Sequence, residues 1–411
     1  MFESIKDGVS FYRDPIAFLS SCQSEHGDYH VARLGRKTVH LVFDPNLARS
    51  ILNDPLTFKK TSYVYNKIKP ITGATGLVQV EGEEGLKLRR SFNQFFSQKA
   101  IDGYLAAARE VVETTVPQFE GEHDVRDIAT EMVLGTALSM FTGAGPATET
   151  GQLSDCFLRL NDLCAKEFKN LLPLGNPILK LQIKQAQREL DDSIVTVMDG
   201  GNEECLIQRL RAAEAEIPME LTDQFLLNQV KTFLFAGHET TATYLIMALY
   251  ELAKDPQLQE RIYQDCASGV GVKPGSATSA FLREILRLHS PAWMIVREAT
   301  ISGNVTGREF REGDYIFIGV HQIHHHPGHW SDPEKLSLDH HDEKNVAFMP
   351  YGAGKRHCIG SRLADLELEV ILEILLGRYH LKLVGEAKPI QPKVMITAYP
   401  GDPVNIAFSK R

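Results

Sequence analysis

The chain has 411 residues, 43% of them hydrophobic, and a formal net charge of −9. Such a composition supplies a large core, and the acidic balance excludes a nucleic-acid partner, which needs a basic face. The longest apolar stretch, near 241–252, is shorter than the ~20 residues of a bilayer span, and the start (Met1-Phe2-Glu3-Ser4-Ile5-Lys6-Asp7) has no apolar signal region, so a soluble, cytoplasmic chain is expected.

Residues 28–44 read as a hairpin turning at Gly35-Arg36, followed by a short helix from Pro45 to Leu52. The stretch 55–82 is rich in Gly and aromatics with little period and reads as a long loop. Helical periods follow at 83–96, 98–117, 124–142, 152–170 and 177–199. The longest runs over about 222–253, on the order of 50 Å at 1.5 Å per residue. It is apolar on most sides, which predicts a helix crossing the core. Helix returns at 278–289 and 358–376, and strands are predicted at 293–300, 315–321, 379–384, 392–398 and 403–408. The fold class is mainly α with a smaller β-rich part drawn from both ends of the chain. No linker, repeat or low-complexity run divides it, so 1–411 reads as a single domain.

The six cysteines (22, 156, 164, 205, 266, 358) are scattered without a CxxC pair, the pattern of a reducing compartment without a disulfide framework. Asn304-Val305-Thr306 is a formal glycosylation sequon, accidental in a cytosolic chain. The His324-His325-His326 run and the His340-His341 pair raise metal binding, but no Cys or carboxylate spacing completes a tetrahedral set.

Cys358 stands apart from the others. It lies in Phe348-Met349-Pro350-Tyr351-Gly352-Ala353-Gly354-Lys355-Arg356-His357-Cys358-Ile359-Gly360, at the mouth of a helical pattern. A thiol there feels the positive end of the helix macrodipole, which favours thiolate. Glycines at 352, 354 and 360 let backbone approach the sulfur, and Lys355, Arg356 and His357 add positive charge. A second constellation is Ala236-Gly237-His238-Glu239-Thr240-Thr241 in the long helix. The small pair leaves room for a flat group, and Thr240 can bond back to a carbonyl one turn earlier and open the helix locally. A third is the Glu284–Arg287 pair on one helix face.

The first of these motifs resembles the haem-ligand signature of the cytochrome P-450 family: aromatic, Gly, any, Gly, any, Arg, any, Cys, any, Gly. Tyr351 stands where Phe is commoner. The resemblance implies a triangular helical prism with a minor β part, haem b as cofactor with Cys358 as its axial thiolate, and dioxygen as co-substrate. It further implies Thr240 as the hydroxyl and Glu239 as the acid of a proton relay, with Thr241 structural. It also implies that the Glu284–Arg287 pair braces the Cys loop, with His340 standing where the family's third partner is usually Arg. Arg89, Arg297 and Arg356 are implied as partners of the haem propionates. Ala236, Gly237, Phe348, Gly352 and Ile359 are implied to line the cofactor. Gly85 holds a position that usually carries an aromatic residue, so one propionate contact is expected to be missing or replaced by water.

Substrate contacts are placed by the same resemblance at Phe233, Trp293, Met294, Ile295 and Thr397, and their apolar bulk fits a hydrophobic small molecule. The absence of an anchor fits the bacterial type. No flavin or iron–sulfur domain is present, so a ferredoxin and its reductase are expected as electron donors to a monomer, with Lys87, Arg90, Lys355 and Arg362 as docking charges. The expected reaction is monooxygenation of an apolar C–H bond. Oxidative coupling or cyclisation in natural-product biosynthesis, without oxygen insertion, and a non-catalytic haem sensor remain open.

Overall fold

The computed structural model describes residues 2–35, 37–116, 119–145, 147–168, 176–198, 203–340, 345–394 and 396–411. In chain order its elements are α1 (Phe2–Arg13), α2 (Pro15–His26), β1 (Tyr29–Leu34), β2 (Lys37–Val42), α3 (Pro45–Asn53), β3 (Phe58–Lys59), α4 (Ser62–Thr72), α5 (Gly82–Phe92), α6 (Gln98–Thr115), β4 (Gly121–Asp124), α7 (Val125–Thr142), α8 (Ala147–Phe168), α9 (Pro177–Met198) and α10 (Leu206–Ala212). Then follow α11 (Asp223–Lys254), α12 (Pro256–Ala267), α13 (Ala277–Leu288), β5 (Ile295–Ala299), β6 (Gly303–Val305), β7 (Arg308–Phe310), β8 (Tyr315–Ile318), α14 (Val320–His324), α15 (Ser361–Arg378), β9 (Tyr379–Leu383), β10 (Pro392–Val394), β11 (Ala398–Pro400) and β12 (Asn405–Lys410). They gather into two compact units interleaved along the chain. One holds Met1–Ser62, Ser279–Ile359 and Pro392–Tyr399; the other holds Tyr63–Thr278, Gly360–Gln391 and Pro400–Arg411. Among the described residues no helix is long and apolar enough to cross a membrane.

The first unit is built on a five-stranded sheet in the order β1-β2-β8-β5-β3. The hairpin pairs Tyr29 with Val42 through to Leu34 with Lys37, and β2 runs parallel to β8. Successive strand residues point to opposite faces. Val42, Ile316 and Ile318 therefore join one apolar cluster, with Leu47, Ile51, Trp330 and Met349. Leu41 and Phe317 join another, with Leu19, Phe43 and Trp293. The turn into α3 is fixed by Asp44, whose carboxylate accepts the Asn46 and Leu47 N–H groups, with Pro45 in the first turn.

The second unit is helical around α11, 32 residues long and capped by Thr222, whose hydroxyl accepts the Phe225 N–H. The helix ends at Asp255, before Pro256, where the proline ring disfavours further helix. A small antiparallel sheet in the order β4-β12-β9 closes the C-terminus.

Three sequence expectations change. The expected strand 392–398 is replaced by β10 and β11, which pair with each other. The stretch 55–82 is not a loop throughout: it holds β3 and α4. Pro70 interrupts the helical pattern but lies in the last turn of α4. The expected strand 315–321 ends at Ile318, and the chain turns at Gly319 into α14, whose last residue is His324. Helices α1, α2, α10 and α12 had no counterpart in the sequence reading. Arg36 of the predicted turn, His341 of the histidine pair and Met395 of the predicted strand 392–398 lie outside the described residues.

One buried acid sets a pH dependence. Glu367 of α15 is buried, and its polar contact is the Thr136 hydroxyl of α7. Burial pushes its carboxyl up to about 7. The folded state thus holds this proton more tightly than the unfolded state does. Stability is fully present below the ordinary carboxyl range and falls as pH rises toward 7. Glu367→Gln keeps the shape and removes the titration. It is expected to match wild type near pH 4.5 and to exceed it at pH 8 by about 3 kcal/mol, by urea unfolding. Parallel stability curves for the two proteins from pH 4.5 to 8 would exclude this role.

Candidate functional site

The Cys358 loop is fastened before it reaches the thiol. Arg49 of α3 donates from Nε to the Val346 carbonyl (2.8 Å) and from Nη2 to the Phe348 carbonyl (3.1 Å). The Gly352 N–H bonds the Met349 carbonyl at 3.0 Å, and the Cys358 N–H bonds the Tyr351 carbonyl at 2.9 Å. Gly354 has φ +69°, and a Cβ there would lie 2.4 Å from the Leu52 carbonyl oxygen, so only glycine fits. A short 3₁₀ turn at Gly354–Arg356 then delivers Cys358, three residues before α15.

Cys358 is the one exposed cysteine; Cys22 and Cys156 are half-buried and Cys164, Cys205 and Cys266 are buried. Burial pushes the Cys22 and Cys266 thiols up to about 11 and that of Cys164 up to about 12, and raises Cys205 as well. Those four are inert as thiolates. Cys358 instead has Lys355, exposed, and Arg356, half-buried, in the preceding turn.

Arg287 is fully buried, and its donors are spent on fixed acceptors. Nε and Nη2 donate to the two Glu284 oxygens at 2.9 and 2.7 Å. Nη1 donates to the carbonyls of His324 (2.8 Å) and Pro333 (2.6 Å), and Nη2 also to that of Lys335 (3.1 Å). Glu284 Oε1 in turn accepts the Ser337 N–H (3.0 Å) and lies 2.8 Å from His340 Nδ1. The structure thus brings His340 onto the pair, where an Arg was the expected type. The Arg287 guanidinium also lies 5.2 Å from the Trp330 ring centre.

In α11 the burial pattern breaks at the Ala-Gly pair. Ala236 is exposed and Gly237, Glu239 and Thr240 are half-buried, whereas 241–253 are buried throughout. A Cβ at Gly237 would meet its nearest neighbour, Phe141, at an ordinary 3.7 Å, so packing within the chain does not demand glycine. The Thr240 hydroxyl donates to the Ala236 carbonyl at 2.7 Å, the back-bond expected from the sequence. His238 is buried edge-on against Phe157 of α8, with neither ring nitrogen hydrogen-bonded among the described residues. Burial pushes its imidazole down to about 4.

The remaining predicted residues are spread over both units. Arg297 is buried on β5 with Nη1 on the Val296 carbonyl at 2.9 Å, and Arg89 is half-buried on α5. Phe348 is half-buried, with the Arg283 guanidinium 4.3 Å from its ring centre, and Ile359 is half-buried. Gly352 has φ +70°. Phe233 is buried among Phe92, Phe96 and Phe141 at ring distances of 5.3 to 5.8 Å. Trp293 is buried in the apolar cluster beneath the sheet, Met294 packs against that cluster, and Ile295 packs against the other. Thr397 is buried, with its hydroxyl unbonded among the described residues. Lys87, Arg90, Lys355 and Arg362 are exposed.

Gly85 explains its own departure from the expected aromatic. A Cβ there would lie 2.4 Å from the Val80 carbonyl oxygen, so no side chain fits. Sequence reasoning missed Arg49 and His324, which hold the loop through its backbone. Among the described residues no group of three metal-ligating side chains forms, and the histidine run is spent on other bonds.

A family model described as cytochrome P450 matches residues 9–403. The cyclooctat-9-en-7-ol 5-monooxygenase of Streptomyces melanosporofaciens is 27% identical over 92% of this chain and 87% of its own length. The pentalenene oxygenase of Streptomyces avermitilis is 25% identical over 94% of this chain and 91% of its own. Among solved structures, the haem domain of a cytochrome P450DA mutant superposes with a TM-score of 0.85 at 22% identity, covering 97% of this chain and 93% of its own. Retinoic-acid-bound cyanobacterial CYP120A1 gives 0.82 at 22% identity, over 98% and 96%.

The Arg287 network is open to a direct test. A lysine cannot reproduce its fork, so Arg287→Lys leaves Glu284 and several carbonyls short of donors. The expected loss is roughly 3–5 kcal/mol, read as a lower urea midpoint at unchanged m-value. A loss below about 1 kcal/mol would mean that the bonds are not made in solution.

Proposed function

The chain belongs to the cytochrome P450 family, haem-dependent oxidoreductases that use dioxygen, and on that premise we propose that it hydroxylates an apolar, terpene-like small molecule with Cys358 as the residue that would hold the haem. The observation that carries the reading is the exposed Cys358 thiol on a loop whose backbone is pinned by Arg49, Gly354 and the turn bonds. The residues present fit haem b. There is one exposed thiol, cations at Arg89, Arg297 and Arg356, and a stretch of α11 with little side chain, a methyl at Ala236 and none at Gly237, where a Cβ is absent without a packing reason.

When bound, the haem supplies the iron at which dioxygen takes two electrons and two protons, one oxygen entering the C–H bond and the other leaving as water. Cys358 would hold the haem iron through its sulfur, with Lys355 and Arg356 in the turn before it. Arg89, Arg297 and Arg356 are the cations that would neutralise the haem's propionates. Thr240 spends its own hydrogen on the Ala236 carbonyl, which leaves its oxygen lone pairs to accept from a water and hold it in place. Glu239, half-buried one residue before, holds the proton that this water passes on. The substrate contacts are Phe233, Trp293, Met294, Ile295 and Thr397, of which Thr397 offers the one hydroxyl. Electrons come from a ferredoxin and its reductase, steered by Lys355 and the exposed cations near it in sequence.

A library of terpenes and other hydrophobic compounds, scored by the low- to high-spin absorption shift and then by product analysis, tests the substrate class. Two variants test the residues. Cys358→Ser is expected to lose the red-shifted Soret band of the reduced carbon monoxide complex, while replacement of the other five cysteines keeps it. Persistence of the band in Cys358→Ser would remove Cys358 from the role. Thr240→Ala is expected to bind haem and substrate normally but to yield several-fold less product per reductant consumed, with the balance appearing as peroxide. Wild-type coupling in that variant would place the proton path elsewhere.

A further inference from the structure

His324, the last residue of α14, is fully buried and has no role in the motifs above. Its ring lies between two polar groups whose hydrogens have only one arrangement. The Met349 N–H donates to His324 Nε2 at 3.0 Å. An amide N–H cannot accept, so Nε2 must carry a lone pair, and the proton of the neutral ring sits on Nδ1. Nδ1 lies 2.9 Å from Ser290 Oγ, and the Ser290 hydroxyl donates to the Leu286 carbonyl at 2.5 Å. Three bonds therefore run in one direction, from Met349 through His324 and Ser290 to α13, the helix that carries Glu284 and Arg287.

Met349 is where the Cys358 loop begins to turn. Its side chain is buried in the apolar cluster, and its carbonyl takes the Gly352 N–H. The His324 ring also stacks on Phe348 at 5.8 Å and 17° and meets Trp330 edge-on at 6.3 Å. Its own carbonyl accepts from Arg287. The charged or titratable groups that bear on the ring are His325, the residue after α14, and Arg287 on α13. Burial and both of these push the imidazole down to about 3, against the opposing pull of the Leu286 and Arg287 carbonyls. The ring stays neutral and the acceptor at Nε2 stays available.

We propose that His324 is a positioning residue for Cys358: locked as the Nδ1–H tautomer by Ser290, it holds the Met349 amide and so fixes where the thiolate loop starts. The proposal rests on Cys358 being the haem ligand.

The test compares His324→Leu, which removes both nitrogens, with His324→Gln, which keeps an acceptor near the place of Nε2. Two readouts are taken on the haem-loaded protein: hydrogen exchange of the peptide containing Met349, and the fraction of the reduced carbon monoxide complex that shows the thiolate band. In His324→Leu the Met349 amide is expected to exchange about tenfold faster, and half or more of the thiolate band to be lost. His324→Gln is expected to restore both to within about threefold of wild type. Wild-type exchange in His324→Leu overturns the proposal. So does equal impairment in both variants, which would make the ring a packing element only, and so does fast exchange with a full thiolate band. If His324→Leu fails to fold, Ser290→Ala decides: faster exchange at Met349 supports the lock, and unchanged exchange overturns it. A thiolate band that survives Cys358→Ser would instead refute the ligand assignment, a result independent of exchange at Met349.

Discussion

A guanidinium cannot shed its charge, so burying one forces the surrounding chain to supply an acceptor for every N–H. Arg287 imposes that demand on the first unit. Its acceptors are one carboxylate on its own helix and three carbonyls from the segment 324–335, which beyond the end of α14 at His324 has no helix or strand to hold it in place. Removing a charge this deep from water costs several kcal/mol, and only the full set of bonds offsets it. The segment therefore has one acceptable path over α13. That path fixes the position of Trp330, whose indole donates to the Ile323 carbonyl, and of His340, which closes on Glu284. The guanidinium thus holds three points of the chain between α14 and Lys335 against α13.

The loop itself is held by its backbone. Arg49 takes two carbonyls, His324 takes an amide, and Gly354 lies so close to the Leu52 carbonyl that no side chain could intervene. With the backbone anchored in this way, no packing of the sulfur is needed to locate the Cys358 thiol. The buried cysteines show the opposite arrangement. Their sulfurs are packed, and burial raises their thiols out of the range in which a thiolate forms.

This difference explains what could be read in advance. Glu284–Arg287, the glycine-spaced Cys loop and the Ala-Gly-x-Glu-Thr segment are legible because each needs particular side chains at fixed spacing. The hairpin, α3 and α11 are legible because period and caps agree there. Arg49 and His324 were not, since a side chain that bonds backbone places no requirement on the partner's residue type. Helix α4 was hidden by Pro70 and by tyrosines that blur the apolar period, and Gly85 departs from the expected aromatic because of a backbone contact with Val80 that sequence cannot display.

Within α11 three locally unfavourable choices fall within four residues. Gly237 forgoes about 1 kcal/mol of helix propensity without a packing reason, Thr240 diverts its hydroxyl to its own backbone, and His238 is buried with no hydrogen-bond partner among the described residues. Elsewhere the helix is apolar, capped at Thr222 and stopped before Pro256. A 32-residue helix packed along α7 can tolerate such losses, because its stability comes from burial rather than from propensity. Residues that weaken their own element are retained where something other than folding selects them. The cluster 237–240 is therefore not explained by the stability of the helix, and the exposed Ala236 lies next to it.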